Sequence, residues 1–248
     1  MITLKSSQEI EHMRQAGKIV ANTLAELGEA IKPGITTLEL DALARRCIKK
    51  SGGRPAFLGY HGFPASICTS INEEVVHGIP GLRRLKPGDI ISVDVGVCFK
   101  GYYGDSTVTF PVGDVSQLAR RLIEVSQNAL SKGIEKACAG NRLFDISHAI
   151  QSVAESAGFT VVRNYVGHGI GSQMHEEPQV PNFGEPGKGP KLEAGMVLAI
   201  EPMVNAGTWE VETLKDNWTV VTRDRKLSVH FEHTVAILEE GPEILTAL

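Results

Sequence analysis

Four carboxylates stand in or beside apolar, β-rich runs of the chain: Asp94 in IISVDVGV, Asp105 in GDSTVTFPV, Glu201 directly after MVLAI, and Glu232 in SVHFEHTVAIL. Burying an ionised carboxylate is very unfavourable unless it is paired or coordinates a metal. Taken singly, each is most simply an edge position or one half of a salt bridge to Arg or Lys. Four in four such runs reverse that balance, and no Arg or Lys lies within three residues of Asp94, Asp105 or Glu201. Two divalent cations would balance the four negative charges. A pair about 3.5–4 Å apart could also share a water and lower its pKa until hydroxide exists near neutral pH.

A nitrogen donor is offered by VGHGIGSQMHEEP, Val166–Pro178, where His168 and His175 are seven residues apart among Gly167, Gly169 and Gly171. Each glycine costs a helix about 1 kcal/mol relative to Ala, so the segment is expected to be extended or tightly turned. A lone histidine in a glycine-rich loop is otherwise an exposed turn residue; beside four acids, His168 becomes the candidate ligand. An oxygen-rich set with one nitrogen suits Mn, Fe or Co better than a thiolate-seeking zinc site, with zinc as the alternative. HEE is not HExxH, and GHGIG is not a full GxGxxG opening a helix, so neither a zincin nor a dinucleotide site is read here.

Positioning these groups falls to elements that recur. Ser6-Ser7-Gln8-Glu9 is a capping box, followed by Ile10, Met13, Ile19/Val20, Leu24 and Leu27 at helical spacing up to Pro33-Gly34. A second box, Thr36 to Glu39, opens a helix that ends at Ser51-Gly52-Gly53, and residues 54–80 are extended and loop-like. GDIISVDVGVCF and GDSTVTFPV then form a hairpin across KGYYG, with Val93, Val95 and Val97 on one face and Ser92, Asp94 and Gly96 on the other. Asp105, eleven residues after Asp94, returns within reach of it. Helices over roughly Ser116–Cys138 and Phe144–Ala157 repeat the plan, and LKPGDIISVDV (Leu85–Val95) aligns with LEAGMVLAIEP (Leu192–Pro202), setting Asp94 against Glu201. The expectation is one α+β domain over 1–248, made of two pseudo-symmetric helix–strand halves, about 1–113 and 114–248, that meet at a shared site.

Bulk composition narrows the class. With 42% apolar and 22% charged residues and a net charge of −4, the chain reads as an ordinary globular protein with no basic run to hold DNA. Its apolar runs are strand-sized, far below the ~20 residues that span a bilayer. The first residues lack the apolar core and cleavage site of a signal peptide. Cys47, Cys68, Cys98 and Cys138 are scattered without a C-x-x-C pair, as in a reducing cytoplasm. No coiled-coil pattern recommends an oligomer, so a monomer is expected.

Asp94, Asp105, His168, Glu201 and Glu232, in that order, resemble the five-ligand dimetal set of the pita-bread aminopeptidases. SINEEVVHGIP, DVG…GYYGDS, GHGIG…HEEP, AIEPM and FEHT resemble more closely the bacterial type I methionine aminopeptidases, over nearly the whole chain. The resemblance implies a pita-bread fold, two related halves around a curved, mainly antiparallel central sheet. It implies a metal-dependent aminopeptidase that removes the initiator methionine from nascent polypeptides by attack of a metal-bridging water or hydroxide. Asp94 would hold one ion and His168 the other, with Asp105, Glu201 and Glu232 engaging or bridging both; Co, Mn, Fe and Zn are the candidate metals. Glu201 would shuttle the proton to the leaving amine, His175 would hydrogen-bond the carbonyl oxygen, and His77 would hold the scissile amide nitrogen. Tyr60, Phe63, Cys68 and Trp218 match positions that line the methionine slot. Met174 and Phe57 also fall there, where relatives commonly carry Phe and Cys. His12, His61, His148, His230 and His233 are read as structural or surface residues, His230 and His233 flanking Glu232 as supporting groups. Contact with the ribosome is a further expectation of this class.

Two alternatives define tests. Proline-specific aminopeptidases of the same fold usually carry a separate N-terminal domain, and Asp94 comes too early for one. A catalytically silent pita-bread module that binds peptides or partners should have lost ligands, whereas all five candidates and both histidines are present.

Overall fold

Both capping boxes start helices in the computed structural model, which describes residues 2–247. The Ser6 hydroxyl accepts from the Glu9 amide while the Glu9 carboxylate accepts from the Ser6 amide at 2.8 Å, opening α1 (Ser7–Ala30). Thr36 and Glu39 repeat the arrangement at 3.1 and 2.8 Å for α2 (Thr37–Lys50). Each box satisfies two amides that the first helical turn leaves without partners. The chain continues through β1 (Arg54–Pro55), a single 3-10 turn (Tyr60–Gly62), β2 (Cys68–Ile71) and β3 (Glu74–Val76). The hairpin β4 (Ile90–Phe99) and β5 (Tyr102–Pro111) closes this part.

Next come α3 (Gln117–Ile134) and α4 (Leu143–Ser156), then β6 (Thr160–Val161), β7 (Gly167–Gly169), β8 (Glu176–Val180), β9 (Val197–Ile200) and β10 (Met203–Asn205). The last strands are β11 (Val211–Thr213), β12 (Val220–Thr222), β13 (Ser228–His230), β14 (His233–Leu238) and β15 (Gly241–Ile244). α3 is shorter than its sequence pattern: residues 135–138 leave the helix in tight turns, with the Cys138 amide donating to Lys136 O. The strand pairs are antiparallel throughout, with β5 and β2 flanking β4, and with β7 between β8 and β9 in a five-stranded sheet ordered β15-β14-β9-β7-β8.

Alternation along β4 separates core from site. Val93, Val95 and Val97 are fully buried against Leu24, Leu27, Leu40 and Ile48 of α1 and α2, leaving Asp94 on the opposite face. A second core lies where α3 and α4 cover β9, β13 and β14, through Leu122, Ile146, Ile150, Leu198 and Val235. Between the two cores, buried hydroxyls join β5 to β13 and β14. Thr109 Oγ1 donates to His230 O (2.8 Å), Ser106 Oγ to Glu232 O (2.5 Å) and Thr234 Oγ1 to Asp105 O (2.8 Å), while the Glu232 amide donates to Thr107 O (3.0 Å). These bonds satisfy backbone groups where two sheet segments meet without a regular ladder, and they fix β5 against the chain around Glu232.

Glu201 follows the end of its strand, as its place after MVLAI predicts, whereas Glu232 lies between strands rather than within one. Pro202 has no amide for the ladder, so β9 ends at Ile200 and pairing resumes at Met203. The same two-residue interruption separates β13 from β14. Because Ile200 faces His233 and Met203 faces His230, the register sets Glu201 directly opposite Glu232.

Candidate metal centre

Like charges directly opposite each other on a sheet are destabilising, yet this structure gathers four. Asp94 faces Thr107 across the β4–β5 hairpin and Asp105 faces Gly96, so the two aspartates sit diagonally on one face. Glu201 and Glu232 approach from β9 and β14. His168 comes from β7, held between β8 and β9 where a Cβ on Gly167 would lie 2.4 Å from Ala199 O, and one on Gly169 2.2 Å from Glu177 O. Only glycine lets the backbone pass that closely, which is why the histidine is flanked by them.

The ligand atoms are aimed and unsatisfied. Single donor atoms of Asp105, His168 and Glu232 lie within 4.8 Å of one another, and His168 Nε2 is 3.6 Å from Glu201 Oε1. His168 Nδ1 is 2.9 Å from Gly169 O; a carbonyl only accepts, so Nδ1 carries the proton and the Nε2 lone pair is free to ligate. Thr107 Oγ1 donates to Glu232 Oε2 at 2.9 Å. Asp94 Oδ1 and Asp105 Oδ1 are buried with no hydrogen-bond partner. Among the described residues no Arg or Lys lines the cleft around these acids.

Burial raises the pKa of all four carboxyls, the Asp105, Glu201 and Glu232 carboxyls well above the ordinary range, where the negative charges of their neighbours add to it. Burial acts oppositely on the imidazoles, pushing His168 down to about 3 and His77 and His230 to about 4. A neutral imidazole beside four carboxylates, two of them with an orphaned oxygen, is a donor set for divalent cations, mostly oxygen with one nitrogen. The residues present therefore fit the metal ions that their pattern implies.

Above the acids opens a cleft of about 340 Å³ lined by Tyr60, Phe63, Cys68, His77, His175 and Trp218, among others. Cys68 lies on its floor, in register with Asp94. Trp218 meets Phe63 edge-on at 5.0 Å between ring centroids. Its loop is shaped by Asp216, whose carboxylate accepts from the amides of Trp218 and Thr219 at 2.9 Å and from the Thr219 hydroxyl at 2.6 Å. Phe57 lines the cleft, whereas Met174 packs behind the wall in the same apolar cluster and is not on the lining. His77 holds a left-handed backbone (φ 60°), which few non-glycine residues adopt. The His175 ring centroid lies 4.2 Å from that of His168, the planes tilted by 53°, and Tyr60 Oη is 2.7 Å from its Nδ1. The loop that carries it is fixed by the buried Lys5–Glu176 pair at 2.7 Å.

All five candidate ligands and both further histidines thus converge. The cleft also contains His61, Val76 and His230, which the sequence reading did not place in it. His230 Nε2 is buried without a hydrogen-bond partner, 3.5 Å from Glu201 Oε2. The signal available in the sequence was its place two residues before Glu232. His233, one residue on, turns away to bond Thr246 Oγ1 (2.8 Å).

Comparison with known proteins agrees with this geometry. The model of metallopeptidase family M24 matches residues 11–239. The methionine aminopeptidase of Clostridium acetobutylicum is 61% identical over 247 residues, covering 99% of either chain. The crystal structure of methionine aminopeptidase from Thermotoga maritima superposes with a TM-score of 0.99 at 48% identity, with both chains covered in full. A prolidase from Pyrococcus horikoshii shares the fold, at a TM-score of 0.80 and 24% identity, over 98% of this chain and 63% of its own.

Proposed function

This chain belongs to metallopeptidase family M24, and from that premise we propose that it hydrolyses the peptide bond after an N-terminal methionine. The observation that carries the reading is four carboxylates, Asp105 and Glu232 buried and Asp94 and Glu201 half-buried, converging with His168 at the base of an aromatic cleft that no Arg or Lys lines among the described residues. Asp94, Asp105, His168, Glu201 and Glu232 would hold two divalent ions, drawn from Co, Mn, Fe and Zn. Bound there, the ions supply Lewis-acid polarisation and lower the pKa of water.

The chain's own groups do the rest. The Glu201 carboxylate takes the proton released at the attacking water and returns it to the leaving amine. His175 donates from its ring to the scissile carbonyl oxygen, favouring the state in which that oxygen is most negative. The His77 imidazole, kept neutral by burial, hydrogen-bonds the scissile amide nitrogen. Tyr60, Phe63, Cys68 and Trp218, with Met174 behind them, enclose an unbranched thioether, whose polarisable sulfur suits aromatic walls.

The substrate is the N-terminal methionine of nascent polypeptides, processed in the cytoplasm by a monomer in reach of the ribosome. The cysteines are free, and among the described residues no helix is long and apolar enough to cross a membrane. Two related halves, about 1–113 and 114–248, belong to the same proposal. Each contributes two helices and then strands that bring acids to the centre. The test is a metal-reconstitution assay on Met-Ala-Ser beside Leu-Ala-Ser and Ala-Pro peptides. Turnover of Met-Ala-Ser alone is expected; no turnover with any ion would mean a silent module, and preference for Ala-Pro a proline-specific enzyme.

A further inference from the structure

The His168 and His175 rings lie 4.2 Å apart, tilted by 53°, but are set different tasks, and the partner of each Nδ1 differs. His168 Nδ1 faces a carbonyl oxygen, which can only accept, so its proton is on Nδ1. His175 Nδ1 faces a phenol. We propose that the Tyr60 hydroxyl is a positioning group that holds His175 in the opposite tautomer, Nδ1 bare and Nε2 protonated, so that Nε2–H is the donor to the scissile carbonyl. The inference rests on the reading of His175 as that donor.

The geometry and the chemistry of the pair support it. Tyr60 Oη and His175 Nδ1 are hydrogen-bonded at 2.7 Å, shorter than the ~2.9–3.0 Å on which N–H donors centre. An imidazole nitrogen is a far better acceptor than a phenol oxygen, so the pair settles as O–H···N. Burial and the neighbouring Tyr103 raise the Tyr60 pKa, so the phenol keeps its proton. A neutral imidazole has a single N–H, and a filled Nδ1 acceptor leaves it on Nε2.

Tyr60 is itself held for the purpose. It opens the 3-10 turn between two left-handed residues, Gly59 (φ 84°) and His61 (φ 47°). Its amide donates to Phe57 O, its carbonyl accepts from the Phe63 amide, both at 2.9 Å, and the His61 ring meets it edge-on at 4.4 Å. His175 is open to solvent, so without the phenol its Nδ1 would exchange partners with water and the two tautomers would mix.

Tyr60→Phe keeps the ring in the methionine pocket and removes only the hydroxyl. Its kcat on Met-Ala-Ser should fall about three- to tenfold, as for one lost hydrogen bond, with KM within twofold and metal content unchanged. In the His175→Ala background the same change should cost less than twofold, because the group it acts through is gone. The direct readout is the 15N spectrum of imidazole-labelled, zinc-loaded protein, with His175 assigned by its absence in His175→Ala. Wild type should show Nδ1 bare and Nε2 protonated, and Tyr60→Phe a mixture. A protonated Nδ1 in the wild type, or Tyr60→Phe with kcat within twofold, overturns the proposal. If His175→Ala itself turns over like the wild type, the role of His175 fails first; if it is slow while Tyr60→Phe is not, the tautomer assignment alone fails.

Discussion

Glu201 is asked to do two things with one carboxylate: help hold cations and carry a proton. Glu201→Gln keeps the shape and hydrogen-bonding reach of the side chain while removing its charge and basicity. Turnover should drop by about 10²–10⁴, with metal uptake weakened, both measured by single-turnover kinetics and elemental analysis of the same preparation. More than a tenth of wild-type kcat at full metal loading would remove Glu201 from the proton path. At this scale the sequence was informative where electrostatics left few options: Asp94, Asp105 and Glu201 lack any local cation, and a strand carboxylate in that position needs a partner from elsewhere. It was less informative where a side chain's role depends on what approaches it. His230 looked like a supporting residue because nothing in the sequence reports that its Nε2 has no partner, and Met174 looked like a wall residue although it packs behind one.

Elements position these residues through their ends. α4 begins where the Asp145 carboxylate accepts from the Arg142 amide at 2.8 Å and from the Gly187 amide at 2.7 Å, tying the helix to a distant loop. Those two amides hold the Asp145 pKa below its ordinary value. A depressed carboxyl stabilises the fold above its unfolded pKa, near 3.9, and the contribution disappears as pH falls through the lower folded value. Asp145→Ala should therefore lower Tm by a few degrees at pH 7, for about 1 kcal/mol of lost capping. The gap to wild type should stay constant down to about pH 5 and close below pH 4, as followed by thermal melts. A gap that widens in acid would contradict the assignment. Capping boxes at Ser6 and Thr36 and the β4–β5 alternation were legible because they are local patterns. The interruption at Glu232 was not, because the apolar run continues across it, whereas the place of Glu201 after MVLAI was legible and Pro202 marked the break. The early end of α3 follows from turn bonds around Glu135–Cys138 that helical periodicity does not register.

For the whole molecule, the central fact is that acidic groups are concentrated at the base of a cleft, largely shielded from bulk solvent. The buried hydroxyls between β5 and the chain around Glu232 hold four repelling carboxylates together, and ions that bind the folded state alone stabilise it by mass action. An occupancy at 100 times Kd is worth about 2.7 kcal/mol, or roughly 5–10 °C in a domain of this size. Chelation should lower Tm by about that amount, reversibly on adding Mn or Co; an unchanged Tm would mean that the acids are neutralised by other means. The α+β class and the convergence of elements on one centre were readable from sequence because the order of helices and strands and the placement of acids recur. How the sheets meet across Thr109, Ser106 and Thr234 was not, since hydroxyl-to-backbone contacts between distant strands leave no periodic trace.

The most direct test of the account is anomalous diffraction from crystals of the protein loaded with Mn. Two peaks about 3.5–4 Å apart, enclosed by Asp94, Asp105, His168, Glu201 and Glu232, are the predicted result. A cleft with no peak among these side chains, or ions bound elsewhere while the four acids stay protonated, would contradict it.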